Sequence, residues 1–302
     1  GDKSMAQDFQ GRKMTHFSII GAGRLGTSLG LALRKKGYKI QAISCRTVAS
    51  AEESRKIIGE GIVSTDNIKT ARIGEIVFLC LPDEEIIKVT RLLASSDINW
   101  SEKYVFHCSG LIPSKVLEPL KAKGALTASF HPIQSFAGKK TPPAQFENIY
   151  FGLEGCAEAL ALSAKIARKL GGHPLILKPE NKPLYHAACS TASNFFVVLL
   201  EMAVSLLKQI DLQEEKALQI LLPLVKGTLH NVKKFNIRPS LTGPVIRGDK
   251  KSIQKHLEAL RNFPPYYETY TKLAAQALEM AKREEKISTK KIKELKNLLE
   301  GK

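Results

Sequence analysis

The segment Phe17-Ser18-Ile19-Ile20-Gly21-Ala22-Gly23-Arg24-Leu25-Gly26 constrains the fold more than any other part of the chain. A short apolar run leads into G-x-G-x-x-G, and residues 27–33 then repeat with helical period. That order is strand, glycine turn, helix. Gly21 permits the tight turn, Gly23 lets a pyrophosphate approach the backbone, and Gly26 lets the helix pack closely on the strand. The phosphates would sit on the helix N-terminus, where free N–H groups and the dipole favour anions. Gly21, Ala22, Gly23, Arg24, Leu25 and Gly26 are therefore candidate dinucleotide contacts.

The next apolar run, residues 38–44, ends in Ser44-Cys45-Arg46-Thr47. An NAD site usually places an acidic residue about 20 positions past the glycines, to hold the ribose 2′-hydroxyl. No carboxylate stands here to repel a 2′-phosphate, and arginine suits bidentate phosphate contact. Cys45, Arg46 and Thr47 thus point to NADP(H) rather than NAD(H). A plainer reading makes Arg46 a solvated residue and Thr47 the N-cap of the next helix.

Further strand-like runs fall at 75–81, 103–108, 125–130, 149–153 and 174–177, with helices over 84–94 and 157–170. Strands alternating with helices predict a mostly parallel, doubly wound α/β sheet of Rossmann type over residues 15–178. From 179 to 302 the periodicity is helical throughout, with helices over 183–209, 213–235, 251–261 and 267–281, so an all-α second domain follows. Residues 1–14 are polar and read as a disordered or added N-terminus, with no signal peptide.

The net charge of +17 invites a nucleic-acid reading, yet the basic residues are diffuse and no basic motif interleaved with aromatics occurs. The tail 282–302 carries eight basic and four acidic residues, and Ile292, Leu295 and Leu299 keep helical spacing, as in an amphipathic helix with a solvated face. The apolar stretch 194–207, interrupted by Glu201, is read as too short to span a membrane. The five cysteines are scattered without C-x-x-C, which favours reduced thiols in a cytoplasmic protein and no metal site. The expected partners are a small molecule and a second copy of the chain, not nucleic acid or membrane.

Three constellations carry possible chemistry. Lys182, His186, Ser190 and Asn194 are spaced i, i+4, i+8 and i+12, on one side of a helix, with Ser193 nearby. A reductase needs a proton source and donors around the reacting group. His186 is favoured as that source, since histidines ordinarily titrate near neutral pH. Lys182 would bind an anionic group, and Asn194 and Ser190 would orient the substrate. The plainer reading is close helix packing by small polar residues. Second, His107-Cys108-Ser109-Gly110 and Ser129-Phe130-His131-Pro132 follow strand ends, where a parallel sheet presents its ligand loops. Ser109 and Gly110, with the Leu81-Pro82 turn, are assigned to the cofactor, and His131 and Ser193 to the substrate. Third, Arg247 stands in Thr242-Gly243-Pro244-Val245-Ile246-Arg247-Gly248-Asp249, where it would clamp a substrate carboxylate, or else pair with Asp249 as that residue caps the next helix.

Together these residues resemble the superfamily of pyrroline-5-carboxylate reductase and 6-phosphogluconate dehydrogenase. His107-Cys108-Ser109-Gly110, Ser129-Phe130-His131-Pro132, Tyr185-His186-Ala187-Ala188 and Thr242-Gly243-Pro244 are most similar to a bacterial branch that joins a Rossmann-like domain to a helical domain of unknown function. The resemblance covers about residues 15–285. It implies an NADP-dependent oxidoreductase acting on a small, anionic substrate between two domains, with the helical domain forming a homodimer. The competing expectation is a protein that binds or senses NADP without turnover.

Overall fold

The computed structural model describes residues 16–301, and the expectation for residues 1–14 lies outside them. Its contacts form two compact units, one through Phe195 and one from Phe196. The first unit therefore includes residues 179–195, which the sequence reading assigns to the second domain.

Eight strands make one sheet: β1 (His16–Ile20), β2 (Lys39–Ser44), β3 (Ile62–Ser64), β4 (Ile76–Leu79), β5 (Tyr104–His107), β6 (Leu126–Pro132), β7 (Tyr150–Gly155) and β8 (His173–Ile176). Their order is β3-β2-β1-β4-β5-β6-β7-β8. Every neighbouring pair is parallel except β6 and β7. β4 and β5 are apolar along nearly their whole length and wholly buried, as strands covered on both faces must be. The cover comes from α1 (Arg24–Lys35), α2 (Val48–Ile58), α3 (Asn67–Ile73), α4 (Asp83–Ala94), α5 (Glu118–Lys121) and α6 (Ala157–Lys169). Two apolar clusters result, one holding Phe17, Phe78, Phe106 and Phe130, the other Trp100, Leu79 and Val105. Strand order reverses between β1 and β4, and the crevice beyond their C-terminal ends is where such sheets bind ligands.

The expected helix over 183–209 is two helices, α7 (Lys182–Ala192) and α8 (Asn194–Lys208), broken at Ser193. The helical run Pro179–Lys208 is also longer than the stretch judged too short to span a membrane, and by length and composition it is long enough. Its first turn, however, carries Lys182 buried within the sheet unit. The second unit continues with α9 (Glu214–Phe235), α10 (Ile237–Ser240), α11 (Pro244–Arg247), α12 (Lys250–Leu260), α13 (Pro264–Arg283) and α14 (Thr289–Leu299). Its core is small, built on Ile253, Leu257, Leu278 and Leu295.

Candidate active site

The glycine turn has the geometry that an anion site requires. Gly21 adopts φ +85°, a left-handed conformation, and a Cβ there would lie 2.5 Å from Leu81 Cδ2. Leu81 thus packs over the turn, and Pro82 starts α4 beside it. A Cβ on Gly26 would meet the Gly21 carbonyl at 2.5 Å and Ile19 at 3.1 Å, so α1 can approach β1 only at a glycine. Around Gly23, by contrast, a Cβ would meet nothing within 4 Å, and no side chain caps the first turn of α1. The turn is braced from behind, where the Ala22 carbonyl accepts from Thr27 Oγ1 at 2.9 Å and Ser54 Oγ at 2.8 Å. The Gly21, Ala22 and Gly23 N–H groups bond the backbone carbonyls of Ser44 and Gly21, so exposed Gly23 and Arg24, the open space and the N–H groups that open α1 are what fit a pyrophosphate.

At the end of β2, Cys45 donates weakly to the Ala22 carbonyl at 3.5 Å, which ties this loop to the glycine turn. Thr47 does cap α2, accepting from the Ser50 N–H at 3.2 Å. That bond uses an oxygen lone pair and leaves the hydroxyl proton to donate. Arg46 is exposed, with no ion pair among the described residues. These features fit a 2′-phosphate.

The ends of β5 and β6 meet α7 in a polar cluster. Lys182 is wholly buried, and its Nζ donates to Ser129 Oγ at 2.6 Å and to the Ser109 carbonyl at 3.2 Å. Burial pushes this ammonium down to about 8, against the opposing pull of Glu154 and Asp83. Lys182 therefore staples two strand ends, and an accessible anion-binding role does not fit its position. His131 Nδ1 lies 2.6 Å from the Tyr185 hydroxyl. Burial first, then the Lys182 and His186 charges, brings His131 down to about 4, so it is neutral near pH 7. Burial also raises the Tyr185 hydroxyl, which stays protonated and shares a hydrogen bond with that nitrogen. His186 packs edge-on to His131, with ring centroids 6.2 Å apart. Gly110 lies beneath both, where a Cβ would meet His186 Cδ2 at 2.7 Å and His131 Cε1 at 2.8 Å.

Other expected residues are placed differently. Ser109 turns its hydroxyl inward, accepting from the Leu111 and Ile112 N–H groups at 3.1 Å, so it braces its own turn. Ser190 is half-buried on the face of α7 that carries Lys182 and His186, whereas Ser193 and Asn194 are exposed at and beyond the break. The regular i+4 series assumed one unbroken helix. Arg247 is exposed in the second unit, and Asp249 caps α12 by accepting from the Ser252 N–H at 3.1 Å. Tyr185 was absent from the expected site. Its only signal was its place one residue before His186.

A crevice at the strand reversal, an open glycine turn and an imidazole pair at the neighbouring strand ends define a Rossmann-type protein with a helical extension. A Rossmann-like domain model matches residues 3–132, and the model for a domain of unknown function, DUF2520, matches residues 149–277. A Thermotoga maritima protein of known structure is 30% identical, over 89% of this chain and 99% of that one, with a TM-score of 0.68. The chain belongs to the family that joins these two domains. A Bacteroides fragilis protein provisionally described as an NADP oxidoreductase is 27% identical, over 87% of this chain and 98% of that one, with a TM-score of 0.75. The fold is shared with an Aspergillus terreus reductive aminase solved with NADPH and ethyl levulinate, at 18% identity, 95% and 92% coverage and a TM-score of 0.61. No curated protein matches the sequence.

Proposed function

We propose that the protein is an NADP(H)-dependent oxidoreductase acting on a small, anionic carbonyl, imine or hydroxy-acid substrate. The observation that carries this reading is the presence, in one unit, of an open glycine turn beside Arg46 and of the His131–His186 imidazole pair where α7 meets the ends of β5 and β6. The likeness to the Bacteroides fragilis protein supports it. NADPH, when bound, supplies the hydride. Gly21 to Gly26 hold the pyrophosphate, Cys45, Arg46 and Thr47 the 2′-phosphate side, and Leu81, Pro82 and Gly110 the wall.

His186 donates the proton that balances hydride addition to carbon. His131, fixed by Tyr185, presents Nε2–H to the substrate, and Ser190 orients it. Lys182 acts from below, holding Ser129 and the Ser109 carbonyl, and its charge adds to the burial that keeps His131 neutral. Asn194 also orients the substrate, and Ser193 contacts it.

We also infer a homodimer. Phe195, Val197 and Val198 are 57%, 61% and 59% exposed in the single chain, a face that a second copy would cover. All five cysteines are free thiols, which supports a cytoplasmic setting. The basic tail helix α14 pairs Lys296 with Glu300 at 3.9 Å, and it is assigned no nucleic-acid role.

The test is a screen of carbonyl, imine and hydroxy-acid compounds that follows NADPH absorbance. Turnover that disappears in H186A supports the assignment. Tight NADPH binding without turnover of any class would favour a non-catalytic, nucleotide-sensing role.

A further inference from the structure

The loop between β6 and β7 sends a lysine to a place that the sheet does not need it. Lys139 Nζ donates to Ser50 Oγ at 2.8 Å and to the Ser50 carbonyl at 3.2 Å, and it pairs with Glu53 at 2.8 Å. Its own carbonyl accepts from Ser28 Oγ on α1 at 3.5 Å. The Lys139 side chain is only 19% exposed, whereas Glu53 is 59% exposed. Ser50 is also the residue whose N–H bonds the Thr47 hydroxyl. The Lys139 ammonium is therefore joined through Ser50 to Thr47, the neighbour of Arg46 in the chain.

The surrounding charge suits an anion there. The first turn of α2 has no acidic residue, Glu52 in the next turn is paired with Arg55 at 2.8 Å, and Lys140 follows Lys139 in the chain. The Lys139 ammonium, helped by Lys140, holds the Glu53 carboxyl below its usual range. A partly exposed lysine–glutamate pair contributes little to stability, so anchoring a loop is a weak reason for one. A phosphate monoester carries about two negative charges near neutral pH and outcompetes a single exposed carboxylate for the same ammonium.

We propose that Lys139 is a second cation of the adenosine 2′-phosphate pocket, beside Arg46, and that Glu53 serves as its counter-ion until the phosphate takes that place. This rests on the NADP reading of the glycine turn and adds a contact from a distant loop. Cofactor choice is then set by the β2–α2 loop and the β6–β7 loop together.

The experiment is calorimetric titration of NADPH and NADH into the wild-type protein, K139A, K139R and E53Q. K139A weakens NADPH about tenfold or more, the size of one charge-assisted hydrogen bond, and keeps NADH within about twofold, which also shows that the variant is folded. K139R retains the preference. E53Q tightens NADPH by about two- to fivefold, because the competing carboxylate is gone. If Lys139 only anchors its loop, K139A and E53Q change binding in the same direction, or neither changes it, and the proposal falls. A preference for NADPH that R46A abolishes but K139A leaves intact overturns the role of Lys139 while the NADP reading stands. Equal affinity of the wild-type protein for both cofactors overturns both.

Discussion

Replacing Gly110 with alanine tests the cluster at its tightest point. The new Cβ would lie 2.7 Å from His186 Cδ2, 2.8 Å from His131 Cε1 and 2.9 Å from His131 Nε2. Ordinary contact begins near 3.4 Å, so each ring must give way by about half an ångström or more. His131 cannot do so freely, because its Nδ1 is held 2.6 Å from the Tyr185 hydroxyl. Overpacking of this kind costs about 1–3 kcal/mol. For a unit of this size that lowers Tm by roughly 2–4 °C per kcal/mol. The larger effect falls on chemistry, since displacing reacting groups by about 1 Å costs on the order of a hundredfold in rate. Gly110 also lines the cofactor's wall, so NADPH affinity falls, but by less than the rate, because the glycine turn and Arg46 that hold the phosphates are untouched. The assays are differential scanning fluorimetry, NADPH titration and turnover of a substrate found by the screen. Full turnover in G110A, with Tm lowered, would refute the claim that His131 and His186 must keep this spacing.

Three further outcomes follow from charge and exposure. Burial pushes the Lys182 ammonium down to about 8, below the ordinary lysine range near 10.5, so the unfolded chain binds more protons between those values and stability rises with pH across that window. K182M removes this rise, measured by urea unfolding at pH 7.5 and 10; an unchanged slope would contradict the burial of the charge. His107 and His131 fall to about 3 and about 4, so the stability they contribute is complete above pH 6.5 and is lost as the pH drops towards those values. H131Q flattens the fall in Tm between pH 6.5 and 4.5, and an identical acid profile would count against a neutral His131. Light scattering should give a dimer mass for the wild-type protein and a smaller mass for V198E, whereas a wild-type monomer would remove the interface assigned to α8.

The glycine turn was legible in the sequence because its physics is local. Gly21, Gly23 and Gly26 each answer to the backbone within a few residues, and Thr47 shows as a cap for the same reason. Strand β3 escaped notice because it has only three residues, and Ile62 at its start is exposed. The break at Ser193 has no glycine or proline to announce it, so His186 and Asn194 were placed on one helix. What Lys182 does depends on which strand ends face it, and no spacing encodes that. The Tyr185–His131 bond likewise joins residues far apart in sequence, which only the sheet order brings together. Lys139 is the extreme case, a loop lysine whose partners lie on α2.

The most direct measurement is the dissociation constant of NADPH against that of NADH, for the wild-type protein and for R46A. If Arg46 contacts a 2′-phosphate beside the glycine turn, the wild-type protein binds NADPH at least about tenfold more tightly than NADH, the range of a charge-assisted hydrogen bond. R46A then narrows that gap by about tenfold, weakening NADPH alone. Equal affinities in the wild-type protein would contradict the assignment of this crevice to NADP, and a preference that R46A leaves undiminished would contradict the role of Arg46.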